Sequence, residues 1–399
     1  MSLRRLRLTD FRIFADAELE PDPDGTTVIT GPNGTGKTSF LEAVAYLGTQ
    51  RSFRTTAREA MIRAGADRAI LRADLDHDGL PLLVEAELAP GRSRTQVNRQ
   101  LARTRRETAA AVPVTVFSPE DLAVVQGGPA RRRDLLDDAL RLLDHRTAAT
   151  LDEVDRVLRQ RAALLRQAGG RLSTEVRTTL EVWDDRLATA GSAVATAREQ
   201  LLAELQPLVA GSYAALAGGG GVPSPSAGPG GPAGAPAAAV RIAYRRSWSG
   251  PLGEALRSAR QDDLRRGVTT VGPHRDDLDL GLGGRDARTQ ASQGEQRCVA
   301  LALRLGVHRL VTDRSGSAPI LLLDDVFSEL DPDRSRALVR QLPAGQALLT
   351  TAVPLPGGVE VASVVDVRTT GHRTGTSASA STGSVAPAPA LPGPVEDDR

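Results

Sequence analysis

The sequence predicts an α/β fold, in which a mixed sheet with flanking helices forms a head and an α-helical arm domain is inserted into it. A glycine-rich loop, GPNGTGKT at 31–38, stands between a strand-like run and a helix-like run. A buried strand, PILLLDD at 319–325, ends in two aspartates. Between them, leucines and valines recur at three- and four-residue steps over 131–168 and 172–216, the spacing of amphipathic helices. The first two patterns predict the head, and the third predicts the arm.

The elements follow in order along the chain. Short alternating runs over 1–110, with one helix after the glycine-rich loop, predict strands packed around that helix. Residues 131–168 predict a single helix of about 35 residues, about 50 Å long, which the glycines at 169–170 would end. A second helix is expected from Leu172 to about Leu216, so that the two form an antiparallel arm. An ordinary helical subdomain is the alternative interpretation.

Shifts in composition set the predicted domain boundaries. The head is assigned to 1–115 and 268–369, and the arm to 116–267. Within the arm, 217–239 contains only uncharged residues, mostly glycine, proline, serine and alanine, and is expected to be a disordered loop. The tail over 370–399 is expected to be disordered for the same reason.

Composition excludes several classes of protein. No apolar run approaches the roughly 18 residues of a membrane span, so no membrane partner is expected. The single cysteine, Cys298, excludes an internal disulfide and a four-cysteine metal site, and it is expected to be buried. These features predict a cytoplasmic protein. The net charge is only +1, but segment 92–106 carries six arginines and no acid, which fits either a polyanion-binding face or an ordinary solvated surface.

Lys37 is the only lysine among 50 basic residues, and it lies in the glycine-rich loop. The loop fits G-x-x-x-x-G-K-[ST], the P-loop pattern, in which glycines let backbone N–H groups surround phosphates. A compact ammonium reaches between the β- and γ-phosphates, whereas a planar guanidinium is too wide. The predicted nucleotide-binding residues are Gly31, Pro32, Asn33, Gly34, Thr35, Gly36, Lys37, Thr38 and Ser39, with Arg12 reaching in from the first hairpin.

The two aspartates after PILLL provide the acidic part of such a site. We expect Asp324 to hold Mg²⁺ together with the Thr38 hydroxyl, and Asp325 to polarise the attacking water. Asp325 and Lys37 are therefore the candidate catalytic residues. Two acids that merely end a strand are the alternative.

The stretch ASQGEQR at 291–297 opens a helix and resembles the signature motif of ABC-type ATPases. The resemblance implies an ABC-type P-loop ATPase head that binds ATP and Mg²⁺. In that family the signature completes the site of a second subunit, so ATP is held between two heads. The residues implied to act in this way are Ser292, Gln293, Gly294 and Glu295, with Asp331 in the D-loop and Ser118 to Glu120 in the Q-loop.

Further motifs resemble one family within this class, the RecF family of ATPases with heads like those of SMC proteins. They are LRLTDFRIF at 6–14, GTQRSFR at 48–54, PEDLAVVQGGPARRRDLLD at 119–137, GPHRDD at 272–277 and LLLDDVFSELD. The resemblance covers about residues 1–367. It implies a recombination mediator in DNA replication, repair and the SOS response, which forms an ATP-dependent homodimer on gaps and single-strand/double-strand junctions. It also implies work with RecO and RecR to help load RecA, and a weak, DNA-linked ATPase that acts as a switch.

Three positions depart from the expected patterns. Leu135 stands where the family usually has Phe or Tyr, and Asp325 stands where transporter-type ATPases carry glutamate, which predicts slow hydrolysis. Thr350 and Thr351 occupy the place of the transporters' histidine sensor. His274 in GPHRDD is either catalytic or part of a structural hydrogen-bonding cluster, and the structural interpretation is favoured.

Arginines are the candidates for contacts with DNA phosphates. They are drawn from 51–72 and 92–106, and they are Arg51, Arg54, Arg103, Arg105 and Arg106. Two other functions are left open. One is another long-armed repair ATPase of the SMC class, although such arms run to hundreds of residues. The other is the nucleotide-binding domain of a transporter, which needs no arm between the P-loop and the signature.

Overall fold

The structure is a computed structural model that describes residues 1–77, 79–217 and 239–370. The loop and the tail that the sequence predicts to be disordered, 217–239 and 370–399, lie almost entirely outside the described residues.

The described chain alternates strands and helices. The strands are β1 (Ser2–Phe11), β2 (Phe14–Leu19), β3 (Thr26–Thr30), β4 (Ala69–His77), β5 (Leu80–Ala89), β6 (Arg92–Val97), β7 (Gln100–Leu101), β8 (Val114–Phe117), β9 (Val240–Arg245), β10 (Asp277–Leu282), β11 (Arg285–Asp286), β12 (Ile320–Asp324), β13 (Ala347–Thr350) and β14 (Ser363–Asp366). The helices are α1 (Lys37–Thr49), α2 (Arg105–Ala111), α3 (Leu122–Gln126), α4 (Pro129–Leu143), α5 (His145–Ala168), α6 (Thr174–Ala217), α7 (Leu252–Arg266), α8 (Ala287–Gln290), α9 (Gln293–Ser315), α10 (Pro332–Val339) and α11 (Val367–Thr370).

Two sheets enclose α1. One has six strands in the order β2-β1-β4-β5-β6-β7 and is antiparallel, and the other has five strands in the order β14-β3-β13-β12-β8 and is parallel. Side chains of α1, of the antiparallel sheet and of one face of the parallel sheet share one apolar core. Every residue of β12 is buried, as expected for a central strand of a covered parallel sheet. The carboxyl ends of the parallel strands meet at one edge, where the candidate site lies.

The prediction of one helix over 131–168 is wrong. The helix is interrupted at Asp144, whose φ of −145° and ψ of 116° are those of extended backbone. Its carboxylate accepts hydrogen bonds from the backbone N–H groups of Arg146 and Thr147, both at 3.0 Å, and so caps α5. The leucine spacing continues across the break, which hides it from a periodicity argument. The end of α5 is as predicted, since Gly169 adopts φ 55° after Ala168.

The arm is continuous with the head. Helix α6 runs antiparallel to α5 and then along α9, where Gly306 is so close to α6 that a Cβ there would lie 2.9 Å from Val209 Cγ2. Strand β9, which the sequence assigns to the arm, pairs with β10, which it assigns to the head. This strand pair joins the two predicted domains, and the domain boundary near 267 stays a prediction.

Candidate nucleotide-binding site

The glycine-rich loop depends on glycine at three positions. Gly31, Gly34 and Gly36 have φ of 145°, 79° and 93°, a region that other residues rarely adopt. A Cβ at Gly36 would also lie 2.6 Å from the ring of Phe14, at the start of β2. The loop therefore packs closely under the first hairpin, and α1 begins at Lys37 directly after it.

The side chain of Lys37 folds back over the loop. Its Nζ donates hydrogen bonds to the carbonyl oxygens of Gly31 at 2.7 Å and Pro32 at 3.0 Å. The residue is only 8% exposed. An ammonium has three N–H donors, so it retains one for a further acceptor. The loop thus carries a cation at the N-terminus of α1. The partial positive charge of the helix N-terminus likewise favours an anion there.

A cavity of about 630 Å³ lies over the loop. This volume is typical of pockets for small ligands. The cavity brings together the glycine-rich loop, the first hairpin, the segment 54–64 and the ends of β12 and β13. Besides 33–39, its walls include Arg12, Ile13, Arg54, Asp325, Thr350 and Ala352.

Thr38 and Asp324 meet at the edge of the parallel sheet. Thr38 Oγ1 donates to Asp324 Oδ1 at 2.8 Å, although 286 positions separate the two residues. Asp324 is 5% exposed, and burial raises the pKa of its carboxyl group, while hydrogen bonds from Thr350 and Thr38 act in the opposite direction. A hydroxyl and a carboxylate oxygen are hard ligands of the kind Mg²⁺ prefers, so this pair fits the predicted metal site.

Asp325 has a different environment from its neighbour. It adopts a left-handed conformation with φ 48°, which turns the chain sharply after β12. Its Oδ1 accepts a hydrogen bond from the backbone N–H of Ala352 at 3.2 Å, and the residue lines the cavity. A non-glycine residue held at positive φ is strained, and such strain clusters at functional sites. The two adjacent aspartates therefore have separate positions, one buried on Thr38 and one facing the cavity.

Thr350, at the end of β13, supports the two aspartates. Its Oγ1 donates to Asp324 Oδ1 at 2.7 Å and accepts from the backbone N–H of Asp325 at 3.1 Å. Thr351 Oγ1 donates instead to the carbonyl oxygen of Val353 at 2.6 Å. Thr350, which is 1% exposed, therefore holds the carboxylate of Asp324 and the backbone of Asp325 in place.

Glu42 is a residue of the site that the sequence analysis missed. Its side chain is completely buried in α1. It accepts hydrogen bonds from Arg12 Nε at 2.8 Å, Arg12 Nη2 at 2.5 Å and Ser52 Oγ at 2.5 Å, and Arg54 Nη1 lies 3.6 Å away. The one available signal was a glutamate between Leu41 and Ala43 in the otherwise apolar middle of α1. Glu42 thus ties three walls of the cavity together, and Arg12, which lines the cavity, is paired with it.

The signature residues begin α9 on the protein surface. Ser292 caps the helix, with its Oγ accepting from the backbone N–H of Glu295 at 3.3 Å while the Glu295 carboxylate accepts from the backbone N–H of Ser292 at 2.7 Å. Gly294 leaves room for Arg334, whose Nη1 would lie 2.5 Å from a Cβ at this position. Arg334 also pairs with Asp331 at 3.3 Å. Among the described residues lining the cavity, none comes from Ser292–Glu295.

The predicted Q-loop segment follows β8, next to β12 in the sheet. Ser118 donates its backbone N–H to Asp121 Oδ2 at 3.0 Å, and Asp121 accepts from Arg304 of α9 at 2.7 Å. Burial raises the pKa of Asp324, and the charge of Glu120 acts in the same direction. The segment is thus joined to α9 through Asp121.

The sequence is similar to known proteins over most of its length. A family model described as the RecF/RecN/SMC N terminal domain matches residues 2–351. The DNA replication and repair protein RecF of Acidothermus cellulolyticus is 41% identical over 372 residues, covering 89% of this chain and 95% of that protein. The RecF of Kineococcus radiotolerans is 41% identical over 375 residues, covering 89% and 93%. The chain belongs to the RecF family.

Solved structures agree with this assignment. The structure described as the recombination mediator protein RecF-ATP is 26% identical, with a TM-score of 0.77, and covers 88% of this chain and 92% of that chain. That of RecF-ATPrS is 26% identical, with a TM-score of 0.74 and coverage of 91% and 97%. The predicted resemblance to RecF and the predicted ABC-type head are both confirmed. Membership of the RecF family also argues against the transporter alternative.

The arginines predicted to contact DNA have separate environments. Arg51 Nη1 lies 2.5 Å from Asp134 of α4, so this side chain is occupied by an ion pair. Arg54 lines the nucleotide cavity. Arg103 is exposed, Arg106 is half-buried in the wall of a second cavity of about 740 Å³, and the side chain of Arg105 lies outside the described residues. Their contacts with DNA stay a prediction.

The motif GPHRDD forms part of the junction between arm and head. His274 Nε2 lies 3.0 Å from the carbonyl oxygen of Thr269, and burial lowers the pKa of the imidazole to about 4. Asp277 accepts two hydrogen bonds from Arg132 of α4, at 2.7 and 3.1 Å. These contacts favour the structural interpretation of His274.

Cys298 is buried, as the sequence predicts, and is 1% exposed.

The described residues contain neither a helix that could span a membrane nor a preformed metal cluster. None of the helices in 1–77, 79–217 and 239–370 is long and apolar enough to cross a membrane. The same residues contain no cluster of three or more His, Cys, Asp and Glu side chains that would hold a metal ion. The predicted metal site therefore depends on Thr38, Asp324 and the phosphates of a bound nucleotide.

Proposed function

We propose that this chain is an ATP-dependent, DNA-binding recombination mediator. In this proposal it dimerises on ATP, binds gapped and junction DNA, and helps to load RecA together with RecO and RecR in the cytoplasm during DNA repair and the SOS response. The observation that carries the proposal is that Lys37, Thr38 and Asp325 line one cavity, with Asp324 hydrogen-bonded to Thr38. Its relatives are named DNA replication and repair proteins, and its structural neighbours are named as mediators of the RecFOR pathway.

Binding of ATP follows from the charges of the loop. Lys37 would give a donor to the β- and γ-phosphates, and the glycine-rich backbone and the start of α1 would receive the remaining negative charge. Thr38 and Asp324 would hold Mg²⁺, which in such sites neutralises phosphate charge. Arg12 would contribute a fixed cation, because Glu42 holds its guanidinium in place.

Dimerisation follows from the position of the signature. The cavity has no wall from Ser292–Glu295 among its described lining residues, and those residues lie at a surface helix N-terminus. Ser292 and Gly294 of a second copy would close over the γ-phosphate, with Asp331 at the same surface. A ligand that binds only the dimer shifts the equilibrium towards it by mass action.

Hydrolysis would reset the protein. Asp325 faces the cavity and would orient the attacking water as general base. An aspartate is shorter than the glutamate of transporters and is held by Ala352, so slow hydrolysis is expected. Separation of the heads would then release the DNA, which is the behaviour of a switch.

The experiment is sedimentation of the wild type and Lys37→Arg, each with and without ATP and Mg²⁺ and with a gapped duplex. The variant keeps the charge and changes only its shape, so loss of ATP binding would reflect geometry. We expect wild type to double its mass and bind DNA only with ATP, and the variant to do neither. If the mass and DNA binding of wild type are both independent of ATP, the proposed switch is wrong.

A further inference from the structure

Three helix ends meet at the far end of the arm. The end of α5, the start of α6 and the end of α7 pack around Leu165, Leu180 and Leu264, which are 0%, 0% and 5% exposed. The backbone at Gly267 is in contact with α5, since a Cβ there would lie 3.3 Å from Arg166 Cγ. We define residues 164–180 and 262–268 as the arm tip.

The arm tip carries an excess of exposed positive charge. Its exposed arginines are Arg166, Arg171, Arg177, Arg265 and Arg266. In the part of the chain that the structure describes, Arg265 alone among them forms an ion pair, with Asp262. The remaining acids of the arm tip are the exposed Glu175 and Asp263, which is fully buried and bound to Arg161.

This arrangement differs from that of the buried arginines of the arm. Arg132, Arg141, Arg161 and Arg198 are 4%, 5%, 0% and 3% exposed, and each is paired with an aspartate at 2.6–2.8 Å. A chain with 50 basic and 49 acidic residues has partners available. Unpaired arginines gathered on one small surface repel one another, which disfavours the compact state.

The helix dipole explains only part of the cluster. Arg166 lies in the last turn of α5, and Arg265 and Arg266 lie in the last turn of α7, where a cation is favourable. Arg177 instead lies in the first turn of α6, where the dipole disfavours a cation, and Arg171 lies in the preceding turn. An external anion would relieve both the repulsion and this opposed dipole.

We propose that the arm tip is a second contact for the DNA backbone, separate from the arginines of 51–72 and 92–106. This inference rests on the proposed DNA binding and adds a place on the protein to it. Helix α5 has 24 residues, so the arm tip lies about 36 Å beyond its first turn at 1.5 Å per residue. Duplex DNA rises 3.4 Å per base pair, so the arm tip would reach phosphates about 10 base pairs from those held near the head.

The test compares wild type with Arg166→Gln/Arg177→Gln/Arg266→Gln in the full chain with ATP. The affinity for duplexes of increasing length is measured over a series of salt concentrations. Each lost phosphate contact lowers the slope of log K against log salt by about 0.9. We expect the variant to lose about 1–3 from the slope, and to lose the gain in affinity that wild type shows when the duplex is lengthened by about 10 base pairs.

The control has the same change in net charge at exposed arginines that already have partners. It is Arg156→Gln/Arg246→Gln/Arg314→Gln, whose partners are Glu153, Glu199 and Glu204. We expect it to keep the wild-type slope. If the arm-tip variant, still ATP-dependent in DNA binding, matches wild type in slope and length dependence, the inference is overturned while the proposed function stands. If wild type itself fails to bind DNA with ATP, both are wrong.

Discussion

The nucleotide cavity and the arm with its junction to the head use the same types of charged side chain for different purposes. At the cavity, Lys37 and Asp325 leave polar atoms facing open space, and Asp324 shares one oxygen between two hydroxyls. In the arm, Arg161 is completely buried and donates to Asp184 at 2.8 Å and to Asp263 at 2.6 Å. Charges at the cavity keep a free side, whereas charges inside the arm and at its junction with the head are closed on each other.

The difference matters because the sequence motifs of the two regions look alike. GPNGTGKT and GPHRDD are both short, glycine-led and rich in groups that carry chemistry. The first lines a cavity, and the second holds β9, β10 and α4 together. If the distinction is correct, changes at the junction should reduce stability and spare ATP binding, and changes at the cavity should do the reverse.

The largest effect is expected from Arg161→Met inside the arm. The change leaves Asp263 buried without its cation, and breaking a buried ion pair costs about 3–5 kcal/mol. We expect the free energy of unfolding in urea to fall by that amount and the Kd for ATP to stay within about twofold. Arg156→Met is the matched control, since its pair with Glu153 is exposed and such pairs contribute about 0–1 kcal/mol. A weakened ATP affinity in folded Arg161→Met would contradict the separation of the two regions.

His274 tests the same separation through pH. Its folded pKa of about 4 lies below the ordinary 6.5, so the unfolded chain takes up the proton first as pH falls. The stability it contributes is complete above about pH 6.5 and is lost as pH falls towards 4. Between pH 7 and 5 this loss is roughly 1–2 kcal/mol.

We therefore expect His274→Gln, which retains a donor for the carbonyl of Thr269, to lose that much less stability over the same interval. Urea unfolding at pH 7 and 5 measures the difference. If His274 is instead catalytic, His274→Gln should lower the kcat of ATP hydrolysis at pH 7 and leave stability unchanged. Observing that fall would return His274 to the candidate catalytic residues.

Glu42 provides a further test of this comparison. It is a buried, fully paired charge, yet it holds Arg12 in the wall of the cavity. Removing an anion near bound phosphates would by itself strengthen ATP binding. If Glu42 instead acts by positioning Arg12, Glu42→Gln should weaken ATP binding, by about tenfold. Glu59→Gln, at an exposed glutamate of the neighbouring turn Arg58–Met61, is the control and should leave affinity unchanged.

A double-mutant cycle identifies the route. When two residues act through one contact, their effects are not additive. In the background of Arg12→Ala, Glu42→Gln should therefore change the Kd for ATP by less than about threefold. Full additivity of the two effects would show that Glu42 acts on the nucleotide by some other route.

The sequence predicts the site better than it predicts the arm, for physical reasons. The P-loop, Asp324 and Asp325 could be predicted because phosphate and metal binding require particular residues at fixed spacing, and the structure brings Thr38 and Asp324 within 2.8 Å. The break at Asp144 was missed because a capped turn between two helices keeps the leucine spacing. Glu42 and the ion pair of Arg51 were missed because a long-range partner has no signature in local sequence.

One consequence follows from the contact between Val209 and Gly306. Helix α6 is one continuous element of 44 residues, about 66 Å long, and its final turns are seated on the helix that starts with the signature serine. The arm is therefore a lever whose short end lies at the face where a second subunit would dock. From Val209 to Thr174 the helix is about 53 Å long, so by simple geometry a tilt of about 5° at the seat moves the arm tip by about 5 Å. A small change of angle at the head thus becomes, at the arm tip, a displacement larger than the rise of one base pair, about 3.4 Å.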